Sequence, residues 1–269
     1  MTESASNRLR PISSRQNSLV KALRAAFHSG ELTPEGDCAV EGIKILEEAI
    51  RSSLRVSAVF VSESARDRVN RLLPQLSNQT ETLLLPDDVF RSAVTSDSPQ
   101  GVAALVRVQQ HKLDAMIQVI EPLIIVAAGL QDPGNLGTLI RSTEAFGATG
   151  LVATEGTVDP YNPKVLRASA GSLFRLPVVK AKAASAIAAM KERGLRILAT
   201  SSHKSIPVQE ADLTGPLAII VGNEGAGVPR DMLKEADQVI RVPHSLKVES
   251  LNAGIAASVV LYECARQRT

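Results

Sequence analysis

After Pro122 the chain passes through five short apolar segments, PLIIVAAG, TGLVATE, LRILATS, PLAIIVG and DQVIRVP. Their nearly unbroken run of Val, Ile, Leu and Ala leaves no polar face. Strands of this kind must be covered on both sides, as in a parallel sheet packed between helices. Helical patterns fall between them, at residues 136 to 147, 162 to 171, 183 to 193, 229 to 236 and 250 to 266. Regular alternation of strand and helix predicts an α/β domain with a parallel sheet.

The preceding residues read as a smaller α/β domain. NSLVKALRAAFHSG carries Leu19, Leu23, Ala26 and Phe27 at helical spacing and ends at Gly30; EGIKILEEAI carries Ile43, Leu46 and Ile50. RVSAVFVSE and QGVAALVRV read as strands, VNRLLPQL as a helical piece cut by Pro74, and TETLLLPDDVFRSAV as strand, turn and helix. The more polar QQHKLDAMIQVIE is the candidate connection. The expected division is an N-terminal domain over residues 1–112, a linker over 113–121 and a second domain over 122–269.

Composition excludes several function classes. Net charge is +2, aromatic residues make up 3% and Trp is absent, so a protein that grips single strands by stacking many bases is disfavoured. Residues 1 to 30 nonetheless hold five cations, Arg8, Arg10, Arg15, Lys21 and Arg24, against Glu3 alone. They form either a solvated helix face or a contact for RNA phosphates. Cys38 and Cys264 are far apart and read as reduced, buried thiols. His28, His111, His203 and His244 show no paired spacing, so no metal site is expected. The first residues are polar and read as disordered, with no signal-peptide core. No apolar run approaches the ~20 residues of a membrane span. A soluble, cytoplasmic protein with no membrane partner is the expectation.

Three loops follow strands of the second domain: GLQDPGNLG, GNEGAGVP and PHSLKVESLN. Ligands of open α/β sheets bind at the carboxyl ends of strands, so three such loops together favour a binding site there. Neither glycine loop fits G-x-G-x-x-G, and GxxxxGK[ST] is absent, which counts against a dinucleotide or nucleoside-triphosphate enzyme. GNEGAG has no lysine, and the later loops offer backbone groups and apolar edges such as Val242, Pro243 and Leu251. That chemistry suits a neutral or zwitterionic adenosine-type ligand. Ser250 stands where its hydroxyl can cap the last helix. On the helix after the first loop, Leu136, Leu139, Ile140, Thr143 and Phe146 form the expected buried stripe. Arg141 lies off it, either solvated or reaching toward a phosphate or substrate oxygen.

DPGNLGTLIRSTEAFGA, IIVGNEGAGVP and IRVPHSLKVESLNAGIAASVVLYE resemble, in order and spacing, the three motifs of the SpoU (TrmH-like) family of RNA ribose 2′-O-methyltransferases, whose SPOUT fold is trefoil-knotted. The first domain is more loosely similar to the substrate-binding domain that often precedes the catalytic one, with a fold related to small ribosomal RNA-binding proteins. The resemblance implies S-adenosylmethionine as cofactor, RNA as partner and a homodimer formed through the C-terminal domain. It places Arg141 at the reactive ribose and Asn135 beside it, Glu224 in the supporting network, and Ser250 and Asn252 among the polar residues of the third motif. Cofactor contacts fall on Thr200, Gly222, Val242 and Leu251. The third motif departs from the family pattern: His244 stands for methionine, Leu246 for glycine, and Ala253-Gly254 for valine and a small polar residue.

The activity so implied is methyl transfer to a ribose 2′-hydroxyl of structured RNA, with ribosomal RNA preferred over transfer RNA. An arginine stays protonated in proteins, so Arg141 is expected to clamp a phosphate and stabilise developing alkoxide charge, not to act as a base. The first domain, with its five N-terminal cations, is expected to hold the RNA. The rival readings are a catalytically silent RNA-binding protein of the same fold and an adenine-nucleotide enzyme on a doubly wound sheet.

Overall fold

The structure, a computed structural model, describes residues 8–201, 205–245, 247–248 and 250–269. The first seven residues with Glu3, and His203 and Leu246 named above, lie outside the described residues. The chain divides into two compact units, residues 1–109 with 161–174, and residues 110–160 with 175–269.

The first unit runs β1 (Arg10–Pro11), α1 (Ser18–Ser29), β2 (Asp37–Glu41), α2 (Ile43–Arg51), β3 (Arg55–Ser62), β4 (Glu81–Leu85), α3 (Asp87–Arg91) and β5 (Val102–Arg107). The strands form one sheet in the order β1-β4-β3-β5-β2. β5 pairs antiparallel with β2 and β3, and the other pairs are parallel. Asn17 caps α1 by accepting the Leu19 and Val20 N–H groups, and Gly30 ends it in the left-handed region at φ 68°. The buried face of α1, Val20, Leu23, Ala26 and Phe27, packs with Phe60, Leu83, Phe90 and Leu105. Val20 occupies the place expected for Leu19, which is only partly buried.

Four of the five N-terminal cations are tied into this unit. The Arg8 guanidinium donates to the carbonyls of Leu73 (2.9 Å), Leu76 (3.1 Å) and Ser77 (2.7 Å). Arg24 donates to the Ser92 carbonyl at 3.0 Å, whereas Arg10 and Arg15 pair with Glu81 (2.9 Å) and Asp88 (2.6 Å). Lys21 is exposed. Arg8 therefore closes a loop of its own fold: three carbonyls depend on its planar fork of donors.

The second unit opens with α4 (Leu113–Ile117), inside the stretch expected to be a linker. Met116 and Ile117 are buried in the core of this unit, with Ile124, Val126, Met190 and Ile197. The polar residues around Met116 and Ile117 mask that short apolar edge in the sequence. There follow β6 (Leu123–Ala128), α5 (Pro133–Ala145), β7 (Gly150–Ala153), α6 (Pro163–Ala168), β8 (Val178–Lys180), α7 (Ala183–Glu192), β9 (Arg196–Thr200), β10 (Ile206–Pro207), β11 (Leu217–Gly222), α8 (Arg230–Glu235), β12 (Gln238–Arg241) and α9 (Ala253–Arg268). Of these, α6 belongs to the first unit, where it packs on β2. The seven strands are all parallel, in the order β10-β12-β9-β11-β6-β7-β8. Every residue of β6 and β11 is buried, as two-sided coverage requires. Among the described residues no helix is long and apolar enough to cross a membrane.

The C-terminal end of α9 is docked by side chains. Gln267 bonds the Leu213 N–H (2.9 Å) and the Ala211 carbonyl (3.1 Å), and Arg268 donates to the Leu213 carbonyl (2.9 Å). Glu263 accepts from both Arg266 (2.7 Å) and Gln267 (2.8 Å), which together hold its carboxyl down at about 2 from an ordinary value near 4.5. The folded chain thus binds fewer protons than the unfolded chain between those values. Stability is fully present above them and falls as pH drops through the window. Urea unfolding of Glu263→Gln should show a flatter loss of stability than the native chain across that acid range.

Candidate active site

The carboxyl ends of β9, β11 and β12 open into one pocket. All four residues expected to contact the cofactor, Thr200, Gly222, Val242 and Leu251, line it, with Glu224 and Ser250. Ile240, Ala253 and Ala256 add apolar wall. The Thr200 hydroxyl donates to the Ile220 carbonyl at 3.1 Å, so this side chain secures the end of β9 against β11. A Cβ on Gly222 would lie 2.2 Å from the Gly227 carbonyl carbon, because the loop after β11 folds straight back over it. Only glycine permits that approach.

On the other side of the loop, three side chains from the three sequence-distant loops meet. The Asn252 oxygen accepts the Ile255 N–H at 3.1 Å, capping α9. Its amide donates to the Asn135 oxygen at 2.7 Å, and the Asn135 amide donates to Glu224. A backbone N–H can only donate, so the Ile255 contact fixes which end of Asn252 faces Asn135. That in turn fixes Asn135 with its NH2 toward Glu224, whose ionised carboxylate can only accept. The run is therefore directional, from helix cap to carboxylate.

Local structure places each member. Asp132 caps α5 by accepting the Asn135 N–H at 2.8 Å, and Pro133 follows at the first helical position. α5 and α9 pack closely: a Cβ on Gly254 would stand 3.1 Å from Thr138, and the Ser142 and Ser258 hydroxyls meet at 2.6 Å. That contact brings Asn135 on one helix to Asn252 at the start of the other.

Arg141 is exposed on α5, six residues beyond Asn135 and so within two turns of the network. Its guanidinium has no hydrogen bond or ion pair among the described residues. Ser250 does not cap the last helix. α9 begins at Ala253, and the longer Asn252 side chain reaches the free N–H groups instead. Phe146 is only partly buried and meets the exposed Tyr262 ring edge-on, centroids 6.0 Å apart, so the buried stripe of α5 stops at Thr143. His244 lines the pocket with its Nδ1 donating to the Val242 carbonyl at 2.9 Å. Sequence reasoning passed over Asn223, which also lines the pocket and bonds three backbone groups. An asparagine directly after a buried strand and before two glycines is the available signal, since such residues peg tight turns.

The family model described as SpoU rRNA Methylase family matches residues 122–262, and one described as MRM3-like substrate binding domain matches residues 17–104. The 23S rRNA (guanosine(2553)-2′-O)-methyltransferase RlmP of Bacillus subtilis is 33% identical over 254 residues, 94% of this chain and 98% of that protein. An rRNA methyltransferase from Sinorhizobium meliloti superposes with a TM-score of 0.82 at 25% identity, covering 96% of this chain and 98% of the other. The SpoU methyltransferase AviRb from Streptomyces viridochromogenes, solved in complex with the cofactor AdoMet, superposes with a TM-score of 0.79 at 26% identity over 94% of this chain and 98% of that one. The chain belongs to the SpoU rRNA methylase family.

Gly222→Ala is expected to push the Gly227 peptide off the end of β11 and weaken S-adenosylhomocysteine binding roughly 30-fold or more, read by titration calorimetry.

Proposed function

We propose that the protein methylates a ribose 2′-hydroxyl of ribosomal RNA, with 23S rRNA as the substrate and S-adenosylmethionine as donor. The observation that carries this reading is the convergence of Asn135, Glu224 and Asn252 at the rim of a pocket whose walls suit an adenosine. Apolar Ile240, Val242, Leu251 and Ala256 offer faces for a base, and the strand-end backbone offers donors and acceptors for its edge. Among the described residues the lining includes Arg241 but no lysine. When bound there, the donor supplies a methyl group already activated on a sulfonium. The protein's work is to align the hydroxyl and exclude water.

Arg141 fits the substrate side. It is exposed and without an internal partner among the described residues, so its planar fork can take a phosphate next to the reacting ribose. From there it also stabilises negative charge growing on the 2′-oxygen. Glu224 keeps Asn135 turned toward the site, and Ser250 adds a hydroxyl at the pocket rim. The first unit holds the RNA. Within it Arg8 acts through the fold, Lys21 is open to phosphate, and Arg10 and Arg15 can exchange weak, solvent-exposed ion pairs for phosphate contacts. Arg24 stands between these cases, with a guanidinium already bonded to Ser92.

On α9, Ile255, Val259 and Tyr262 are exposed along one face, beside Phe146. We propose that this face is covered by a second copy of the chain, forming the homodimer, and that the protein works in the cytoplasm on its ribosomal substrate.

Mapping 2′-O-methyl marks across total RNA of a deletion strain tests the function: one 23S rRNA mark should vanish, whereas loss confined to transfer RNA, or no loss, refutes the substrate. Arg141→Ala should retain cofactor affinity yet lose nearly all methyl transfer, with little rescue by Arg141→Lys, because lysine lacks the fork. In sedimentation, Tyr262→Arg should shift the protein toward monomer.

A further inference from the structure

Asn223 bonds the site's backbone through both its side chain and its own peptide groups. Its side-chain oxygen accepts the N–H groups of Gly225 (2.9 Å) and Ala226 (3.2 Å), while its own N–H and carbonyl bridge Gly227 at 3.2 and 2.9 Å. Residues 223 to 227 are thereby closed into a tight loop with Glu224 near its tip. The Asn223 amide then reaches across to the adjacent strand and donates to the Gly129 carbonyl at 3.1 Å. Gly129 is the first residue of the loop that leads to Asp132 and Asn135, and its N–H is held by the Thr157 hydroxyl at 3.0 Å. The last β6–β11 register pair is Ala128 with Gly222, so the amide of Asn223 extends the pairing one step past the sheet by a side chain.

We propose that Asn223 is a positioning residue of the methyl-transfer site: its amide sets the spacing between the loop bearing Glu224 and the loop bearing Asn135, and so keeps their hydrogen bond in place. This inference rests on the methyltransferase reading above. The two halves of the side chain do different jobs. The oxygen shapes the 223–227 loop, and the NH2 ties that loop to Gly129.

Asn223→Asp separates them. The aspartate keeps an oxygen for Gly225 and Ala226, but once ionised it sets a second, charged oxygen against the Gly129 carbonyl. When protonated, the same carboxyl regains a donor. At pH 8 and saturating S-adenosylmethionine, kcat of the variant should fall about 30-fold. The ratio of variant to wild-type kcat should rise as pH falls toward the ordinary carboxyl range near ~4, since measuring wild type alongside cancels the pH dependence of the reaction itself. The side-chain amide resonance of Asn135, assigned with Asn135→Ala, should move toward the position of a free carboxamide at pH 8 and move back as pH falls toward ~4. A pH-independent loss of activity, or an Asn135 resonance that does not move, overturns the proposal, since a general loosening of the fold produces no such recovery. If wild type itself transfers no methyl group to 23S rRNA, the methyltransferase reading fails, and the Asn135 resonance still decides whether Asn223 spaces the two loops.

Discussion

Two-sided burial of the parallel strands governs where this molecule can do chemistry. With β6 and β11 covered along their whole length, polar groups fit only where strands stop. All strands of that sheet point the same way, so their carboxyl ends and the loops that leave them gather on one edge. Loops separated by about a hundred residues of chain thus become neighbours without any direct sequence relation. A site built there inherits the rigidity of the sheet, which is what positioning a reactive hydroxyl to within a fraction of an ångström demands.

The hydrogen-bond run from the α9 cap to Glu224 turns that gathering into a defined geometry. Each amide has only one orientation consistent with its neighbours, so the side chains cannot flip independently. The close approach of α5 and α9 at Gly254 contributes as much as the polar residues, because it sets how far Asn252 lies from Asn135. The departure from the family pattern at Ala253-Gly254 therefore fits a tight helix contact: a larger residue at Gly254 would press on Thr138.

The large sheet was legible because its strands are long apolar runs separated by helix patterns. β8 and β10 were not, since three or two residues carry no readable periodicity. β2, DCAVE, was hidden for a different reason: it pairs antiparallel with β5 and buries an aspartate, which alternation rules read as a break. The stretch holding α4 reads as helical and polar, but two apolar residues among polar ones do not reveal that Met116 and Ile117 pack into a core. The candidate pocket residues followed from the motif resemblance, and Thr200, Gly222, Val242 and Leu251 line one pocket. What sequence could not supply was partnership. Arg8 and Lys21 look alike in a basic segment, yet one holds three carbonyls and the other faces solvent. Nor could it tell that Asn252, not Ser250, caps α9, because both residue types are good caps and only the start of the helix decides.

The assignment of residues 161–174 to the first unit has a bearing on how the chain is made. β2 lies near the N-terminus, but α6, which packs on it, is synthesised more than a hundred residues later. An N-terminal region that emerges early from the ribosome cannot complete its packing until much of the catalytic half has also been translated. Maturation of the two units is thereby coupled in time, and a nascent chain stalled midway would present β2 without its covering helix.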